Sequence, residues 1–297
     1  MVLPAESVSP ADAMHRAWLA EMVAGDNPAP WALIGWHAGL ARTDPHAAAE
    51  GLRRILDRQP NTMAAATELL QIGARQGDAD AVEEALALID RATPRPPYWA
   101  ERFATVWRTG RLTIGDIALR LDRSVVEPVV LLNFARGNYE WHEACAARDL
   151  VQDGDRVLEA GAGVGFVSVA GLRGKSGVSW LAYEARPQLV PMIRENAALN
   201  GVELMVENAA WSTADGDVTL STGADGFVGG SILARADAAN RTVVPSVNAG
   251  RIVGAYRPDV LICDIEGAEY TVLLDIPLSD LKRVIVEFHP HLVNIQA

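Results

Sequence analysis

DRVLEAGAGVGF, residues 155–166, is the stretch from which the fold is predicted. An apolar strand, a glycine-rich turn and a helix that begins near Phe166 follow one another within it. The turn has the pattern E-x-G-x-G-x-G, and its members are Glu159, Gly161, Gly163 and Gly165. Because glycine has no Cβ, a ligand can lie directly against the backbone of such a turn. The stretch therefore predicts a cofactor site between a strand and a helix.

Two classes of cofactor bind at turns of this kind. A dinucleotide fingerprint has the spacing G-x-G-x-x-G, whereas here the third glycine comes one residue earlier and Phe166 stands in its place. The carboxylate of Glu159 repels a pyrophosphate and attracts the ammonium and sulfonium groups of S-adenosyl-L-methionine. The turn therefore favours S-adenosyl-L-methionine. A dinucleotide or nucleotide-sugar enzyme stays an alternative.

Two later strand ends add candidate cofactor contacts. Glu184 ends a second predicted strand, at the distance from the turn where a doubly wound fold brings an acid to the ribose hydroxyls. Asn208 follows a third predicted strand, residues 203–207, and we expect its amide at the adenine edge. From residue 154 onward apolar strands alternate with amphipathic helices. This alternation is typical of an α/β fold with a mostly parallel sheet and right-handed crossovers.

Carboxylates gather after a further apolar strand in DVLICDIEGAEY, residues 259–270. They are Asp264, Glu266 and Glu269. In the next predicted strand, residues 283–288, two-residue alternation places Glu287 and His289 on one side. Crowding raises the pKa of at least one of the carboxyls, so that it can act as a base. Asp264, Glu266 and His289 are therefore the candidate catalytic groups. A divalent-metal site is the weaker alternative, and no metal is predicted because no ligand spacing is compelling.

Residues 1–125 are predicted to be entirely helical and to form a domain separate from residues 126–297. Asp44 and Leu52 recur 34 residues later as Asp78 and Leu86, with a helix predicted over 62–75 between them. This period resembles tandem tetratricopeptide repeats. Further helices are predicted over 98–108 and 114–121. We expect these helices either to bind a protein partner or a second copy, or to pack without recognising anything.

Composition limits the partners and the compartment. The formal net charge of -12 makes nucleic acid an unsuitable partner, because phosphate-binding surfaces are basic. Cys145 and Cys263 are the only cysteines, too few for a disulfide framework. The sequence has no apolar run of the length that a signal peptide or a membrane span needs. We therefore expect a cytoplasmic protein that has no contact with a membrane.

Several segments between residues 128 and 292 together resemble the FkbM family of S-adenosylmethionine-dependent methyltransferases. They are GNYEWHEACAARDLVQDGDRVLEAGAGVGF, YEARPQL, RENAALNGV, NAAWS, GGSI, DIEGAEY and IVEFHPHL. DIEGAE is the most specific of them. The resemblance implies a class I, Rossmann-like methyltransferase fold and methylation of a hydroxyl on a sugar or polyketide-like small molecule. It also implies cofactor contacts at Glu159, Gly161, Gly163 and Glu184. Glu140 matches an acidic position near the methionine end of the cofactor or the acceptor.

Two departures from the family pattern affect the interpretation. The family commonly reads D-x-G-A-N-x-G, whereas this chain has Glu159 and Ala160, with Gly163 in place of the asparagine. The acid is kept, so cofactor binding is still expected. A complete class I sheet also adds a helix and an antiparallel hairpin after its fifth strand, whereas only HLVNIQA follows Pro290 here. The alternative function is therefore a protein-binding helical module joined to an inactive or incomplete methyltransferase half.

Overall fold

The computed structural model describes residues 30–92, 95–222 and 240–289. The sequence also predicts a helix around Trp18, a recurrence of Pro60 at Pro94, and a glycine-rich loop over residues 223–232 that is either a lid over the cofactor or a surface loop. These three predictions lie outside the described residues. Residue contacts divide the chain into two compact units, residues 1–104 and 105–297. The described helices of the first unit are α1 (Pro30–Leu40), α2 (Pro45–Arg58), α3 (Met63–Gln76) and α4 (Ala79–Arg91), and α5 (Tyr98–Thr109) spans the division.

The predicted helical character of the first unit is confirmed, and the 34-residue period has a physical counterpart. Asp44 accepts a hydrogen bond from the backbone N–H of Ala47 at 2.9 Å and so caps α2. Asp78 caps α4 in the same way, through Ala81 at 3.0 Å. A side-chain oxygen at this position satisfies an N–H that the first turn of a helix leaves unpaired. The repeated aspartate therefore starts equivalent helices in the two copies.

The helix predicted over 114–121 is wrong, because this segment is a β-hairpin of the second unit. Strands β1 (Arg111–Ile114) and β2 (Ile117–Arg120) pair in antiparallel register. Buried and exposed residues alternate along β1, which is the period of a strand and not that of a helix. The side chain of Asn196 accepts from the Arg120 N–H at 2.6 Å, and that of Asn200 accepts from the Ala118 N–H at 3.0 Å. These amides occupy an edge of the hairpin that has no strand partner.

The second unit is built on a parallel sheet with the strand order β5-β4-β3-β9-β10. Its strands are β3 (Arg156–Ala160), β4 (Ser179–Glu184), β5 (Met205–Asn208), β9 (Val260–Cys263) and β10 (Arg283–Val286). The helices are α6 (Pro128–Arg136), α7 (Trp141–Leu150), α8 (Phe166–Leu172), α9 (Val190–Leu199), α10 (Ala249–Tyr256) and α11 (Glu269–Leu273). This is the order of the first five strands of a doubly wound fold, so the predicted class I fold is confirmed. The order reverses between β3 and β9, where such sheets bind ligands.

A second sheet lies beyond β5 in the chain. It consists of β6 (Ala210–Ser212), β7 (Gly216–Thr222) and β8 (Asn240–Asn248), with β8 in the centre. Strand β7 contains the extra strand that the sequence predicts over 217–221. Strand β8 and helix α10 were not predicted.

The two faces of the parallel sheet are covered differently. On one face Leu158, Ala160 and Leu261 share a buried cluster with residues of α10 and α11. On the other face the buried helix α8 packs against α7 and α9. No helix within the described ranges is both long and apolar enough to cross a membrane.

Candidate active site

The glycine turn between β3 and α8 has a backbone that only glycine adopts readily. Gly161, Gly163 and Gly165 have φ values of +83°, +54° and +82°. A Cβ on Gly161 would lie 1.7 Å from the carbonyl oxygen of Asp264, at the end of β9. A Cβ on Gly163 would lie 3.0 Å from the Glu140 carboxylate. The missing side chains therefore let the turn approach both β9 and Glu140.

Glu184, at the end of β4, is tied to the same turn. Its carboxylate accepts the backbone N–H of Gly163 at 2.9 Å and that of Arg186 at 2.8 Å. Burial raises the pKa of Glu184 to about 7, although these two N–H groups act in the opposite direction. Each oxygen keeps a second lone pair with which it can accept a hydrogen bond from a ligand hydroxyl.

Glu140 stands on the opposite side of the turn in a strained conformation. Its φ of +45° is in the left-handed region, which is uncommon for residues other than glycine. Its Oε2 atom is inaccessible to solvent and has no hydrogen-bond partner among the described residues. Burial raises its pKa well above the ordinary value, and the charge of Asp264 adds to this effect. An unpaired carboxylate oxygen of this kind is costly unless a ligand completes it.

Asp264 and Glu266 extend the acidic region across the end of β9. The Oδ1 atom of Asp264 is also buried and has no hydrogen-bond partner in the described parts of the chain. Burial raises its pKa well above the ordinary value, and the charges of Glu266 and Glu287 raise it further. Glu266 has a φ of +53°, and its pKa is raised first by burial. Strained backbone at two acidic residues of one site is consistent with a functional constraint on both.

His289 lies among four carboxylates. Its Nδ1 atom is 2.9 Å from Oε1 of Glu269 and 3.9 Å from Oδ1 of Asp264. Its Nε2 atom is 3.5 Å from Glu266 and 3.7 Å from Glu287. The hydrogen bond with Glu269 is the main cause that raises its pKa to about 9. Glu287 therefore lies close to His289, as the strand alternation predicts, and Glu266 lies close to His289 as well.

Glu269 organises the turn that carries these groups. Both of its oxygens accept the backbone N–H of Gly267 at 2.9 Å, and Oε1 also accepts that of Ile265 at 3.3 Å. Burial raises its pKa, but the hydrogen bonds from His289 and Gly267 outweigh this effect and lower it overall. The last acid of DIEGAE is therefore a support for the turn and for His289.

Asp264, Glu269 and His289 have the side-chain types of a metal site. One ligand atom from each lies within 4.8 Å of the others. However, the oxygens of Glu269 already accept backbone N–H groups of the DIEGAE turn. The ion pair between His289 and Glu269 therefore explains why these side chains lie together as well as a bound metal ion would.

A single pocket at the carboxyl ends of the strands collects most of the predicted site residues. Those that line it are Glu140, Gly161, Gly163, Glu184, Asp264 and Glu266. Other polar or aromatic lining residues are Tyr139, Tyr183, Arg186 and Trp211. The remaining lining is apolar and includes Ala185, Leu189, Ala209, Leu220, Ile265 and Ala268. The pocket lies at the reversal of strand order, as the fold predicts.

The structure does not bring Glu159 to this pocket, in contrast to the prediction of a cofactor contact. Strand alternation turns its side chain away from the face of Leu158 and Ala160. There it accepts hydrogen bonds from the Ser168 hydroxyl and, at 2.8 Å, from the Trp180 indole N–H. Burial raises its pKa to about 7. Glu159 is therefore a support between β3 and α8.

Three other predicted residues also lie outside the pocket lining. The Asn208 amide donates to the carbonyls of Glu184 at 2.8 Å and Ala185 at 3.1 Å, so it joins the ends of β4 and β5. A Cβ on Gly165 would lie 3.1 Å from Ile193, so this glycine serves the packing of α8 against α9. His289 reaches the site through its contact with Glu266.

Sequence reasoning missed Tyr139, Arg186 and Trp211 as lining residues. Tyr139 precedes Glu140, and Arg186 follows Glu184 by two residues, so both were close to a predicted contact. Trp211 lies in β6, a strand that no pattern predicted, although it belongs to the NAAWS segment and follows the predicted contact Asn208 by three residues.

Comparison with known proteins agrees with this geometry. Residues 159–296 match the family model described as the Methyltransferase FkbM domain. The match covers slightly less than half of the chain. No match was found among curated proteins. The FkbM domain includes the glycine turn, Glu184 and the DIEGAE turn, whereas Tyr139 and Glu140 precede it.

Solved structures resemble the chain only in part. A tRNA (uracil-54, C5)-methyltransferase from Pyrococcus abyssi, in complex with S-adenosyl-L-homocysteine, is 15% identical, with a TM-score of 0.26 over 34% of this chain and 23% of its own. TYW2 from Pyrococcus horikoshii, in complex with MeSAdo, is 22% identical, with a TM-score of 0.26 over 34% of this chain and 35% of its own. The chain thus spans well under two thirds of the length of either structure.

Proposed function

We propose that the FkbM domain binds S-adenosyl-L-methionine in this pocket and transfers its methyl group to a hydroxyl of a small molecule, such as a sugar or a polyketide-like compound. The observation that carries the proposal is the pair of buried carboxylate oxygens on Glu140 and Asp264 that have no hydrogen-bond partner among the described residues. Both residues line the pocket together with Gly161 and Gly163 of the glycine turn. Such oxygens favour a ligand with hydrogen-bond donors and positive charge.

The charges of the lining distinguish this cofactor from a dinucleotide. Four carboxylates line the pocket, at Glu140, Glu184, Asp264 and Glu266, and Arg186 is the cationic side chain among its described lining residues. A pyrophosphate would meet repulsion from this set, whereas an ammonium and a sulfonium are attracted by it. The same carboxylates support an active site over an inactive half, because unpaired buried acids destabilise a fold that does not use them.

The roles follow from position. Glu140, beside Gly163, suits the ammonium group of the methionine moiety. Glu184, at the end of β4, suits the ribose hydroxyls, with its orientation fixed by the N–H groups of Gly163 and Arg186. Asp264 stands at the end of β9 and Glu266 beyond it, on the side where the acceptor would lie.

The reaction is an in-line displacement at the methyl carbon. The acceptor oxygen forms a bond to this carbon while the carbon–sulfur bond breaks, which leaves a methyl ether and S-adenosyl-L-homocysteine. Holding the oxygen in line with the departing sulfur can lower the barrier by about 7–11 kcal/mol. The hydroxyl proton moves to a carboxylate of Asp264 or Glu266, whose raised pKa suits proton transfer. His289, 3.5 Å from Glu266, stabilises the charge of this group.

The test is transfer of an isotope-labelled methyl group from S-adenosyl-L-methionine to a panel of sugars and hydroxylated small molecules, with the product examined by NMR for an O-methyl signal. We expect Asp264→Asn and Glu266→Gln to lower turnover, by about 10²–10⁴-fold for the residue that accepts the proton. Glu143→Gln, a neighbour of Glu140 that does not line the pocket, is the control. Asp264→Asn with full turnover and unchanged cofactor affinity would exclude Asp264 as the proton acceptor. Methyl transfer to nitrogen or carbon would contradict the proposed O-methylation.

A further inference from the structure

We infer that Trp211 donates its indole N–H to a ring nitrogen of the cofactor's purine and thereby selects an adenosine ligand. The inference rests on the proposed function. Trp211 lines the pocket with its side chain 2% exposed, and its Nε1 atom has no hydrogen-bond partner among the described residues. An indole N–H is only a donor, so its partner must be an acceptor atom. Because buried donors are nearly always paired, a ligand that enters the pocket is expected to supply that atom.

The position of Trp211 agrees with a purine. Glu184 and Asn208 are register partners at the ends of β4 and β5, and Trp211 follows Asn208 by three residues. The apolar residues that line the pocket are Ala185, Leu189, Ala209, Ala210, Leu220, Ile265 and Ala268. A purine has flat apolar faces and acceptor nitrogens N1, N3 and N7 at its edge. It fits a lining of small apolar side chains with a single indole donor.

Trp180 provides an internal contrast. It is as buried as Trp211, at 2% exposure, but its indole N–H donates to Glu159 at 2.8 Å. The indole N–H of Trp180, away from the pocket, therefore has a hydrogen-bond partner, whereas that of Trp211, in the pocket lining, has none among the described residues. Tyr183 holds the Trp211 ring by an edge contact, with centroids 6.0 Å apart. The Trp211 ring is therefore packed in place before a ligand binds.

The first measurement is the set of indole N–H resonances of the full chain in ¹H–¹⁵N NMR spectra, with Trp211 assigned through its contact with the Tyr183 ring. We expect the Trp211 resonance to shift on saturation with S-adenosyl-L-homocysteine and with adenosine, and not with homocysteine. The Trp180 resonance is expected to stay in place. An unmoved Trp211 resonance at saturation, with binding verified by calorimetry, would overturn the inference and leave the proposed function intact. Failure of S-adenosyl-L-homocysteine to bind at all would overturn both.

A second measurement uses Trp211→Phe, which removes the N–H and keeps an aromatic ring. We expect its affinity for S-adenosyl-L-homocysteine to fall about 10-fold, because the ligand's acceptor is then buried without a donor. Analogues with N1, N3 or N7 replaced by C–H identify the atom concerned. We expect one of the three analogues to bind the unmodified chain about 10-fold more weakly than S-adenosyl-L-homocysteine does. The same analogue is expected to bind Trp211→Phe no more weakly than S-adenosyl-L-homocysteine binds that variant. Equal penalties in both proteins for all three analogues would contradict a hydrogen bond to the purine.

Discussion

The carbonyl oxygen of Asp264 occupies the space in which a Cβ of Gly161 would lie, 1.7 Å away. The backbone at the end of β9 cannot move aside without breaking the hydrogen bond that the Asp264 N–H donates to the Ala160 carbonyl, in which the N and O atoms are 2.9 Å apart. The glycine at this position is therefore required by the approach of two strand ends as well as by its positive φ. The same approach brings the turn next to the Asp264 carboxylate.

Gly161→Ala is predicted to lower the free energy of unfolding by more than about 3 kcal/mol and to abolish cofactor binding, because the new methyl group overlaps backbone. Gly174→Ala is the matched control. Its φ is +73°, but nothing lies within 4 Å of an added Cβ. It is expected to cost only the left-handed strain, about 1–2 kcal/mol. Chemical unfolding monitored by circular dichroism measures both. Equal losses in the two variants would show that conformation alone, and not the contact with Asp264, makes Gly161 necessary.

Glu159 gives a pH-dependent prediction. Burial raises its pKa in the folded chain to about 7, against an ordinary value of 4.5. The folded state thus holds the proton more tightly than the unfolded state, so this group's contribution to stability is lost as the pH rises from 4.5 to about 7. Glu159→Gln imitates the protonated form.

We expect Glu159→Gln to match the original chain in stability near the low-pH end of this window and to exceed it by up to about 3 kcal/mol above the window. Urea unfolding at the two pH values measures the difference. A difference that does not change with pH would mean that Glu159 keeps an ordinary pKa.

At the residue scale, the sequence predicted which side chains matter better than it predicted what they do. Glu184, Asp264 and Glu266 reach the pocket because the ends of parallel strands meet there, whereas Glu140 reaches it from the N-terminus of α7. Glu159 was misassigned because its charge was considered without the side of the strand on which it lies. Asn208 was misassigned because an amide at a strand end bonds neighbouring carbonyls as readily as it bonds a ligand.

At the scale of elements, the β1–β2 hairpin is attached to the core by side-chain amides of α9. Asn196 is completely buried, and besides the Arg120 N–H it reaches the Val164 carbonyl in the glycine turn at 2.9 Å. Asn200 bonds the backbone of Ala118 through both its oxygen, at 3.0 Å, and its nitrogen, at 2.7 Å. Asn196 therefore couples the hairpin to the glycine turn, whereas Asn200 joins the hairpin to α9.

Asn196→Ala is predicted to lower the free energy of unfolding by about 2–4 kcal/mol, because it leaves buried backbone groups of β2 and the glycine turn unpaired. It is also expected to weaken binding of S-adenosyl-L-homocysteine. Asn200→Ala, the control, is expected to cost about 1–2 kcal/mol and to leave this affinity unchanged. Thermal unfolding and calorimetric titration measure the two effects. Unchanged affinity in Asn196→Ala would show that the Val164 contact does not shape the site.

This hairpin also shows why part of the fold was not predictable. Its strands are four residues each, too short to separate from helical periodicity by pattern alone, and the residues that fix it lie about 80 positions later in the chain. Strand β9, in contrast, was placed correctly because four successive buried residues between turn signals are typical of a central parallel strand.

At the scale of the whole molecule, the chain has a helical unit and a second unit in which residues 159–296 match the FkbM methyltransferase model. The glycine turn and the alternation of strands and helices were enough to predict the parallel sheet, because each βα unit repeats the same local pattern. The β6–β7–β8 sheet was not predictable in the same way, because its strands pair between segments that lie far apart in the chain. Trp211 was missed with it.

Calorimetric titration of the full chain with S-adenosyl-L-homocysteine and, in parallel, with NAD tests the central claim most directly. The titration is repeated on Glu140→Gln and on the control Glu143→Gln. We predict micromolar binding of S-adenosyl-L-homocysteine alone, weakened by about 10-fold or more in Glu140→Gln and unchanged in Glu143→Gln. Binding of NAD, or binding of neither ligand, would contradict a methyl-donor site between Glu140 and Asp264.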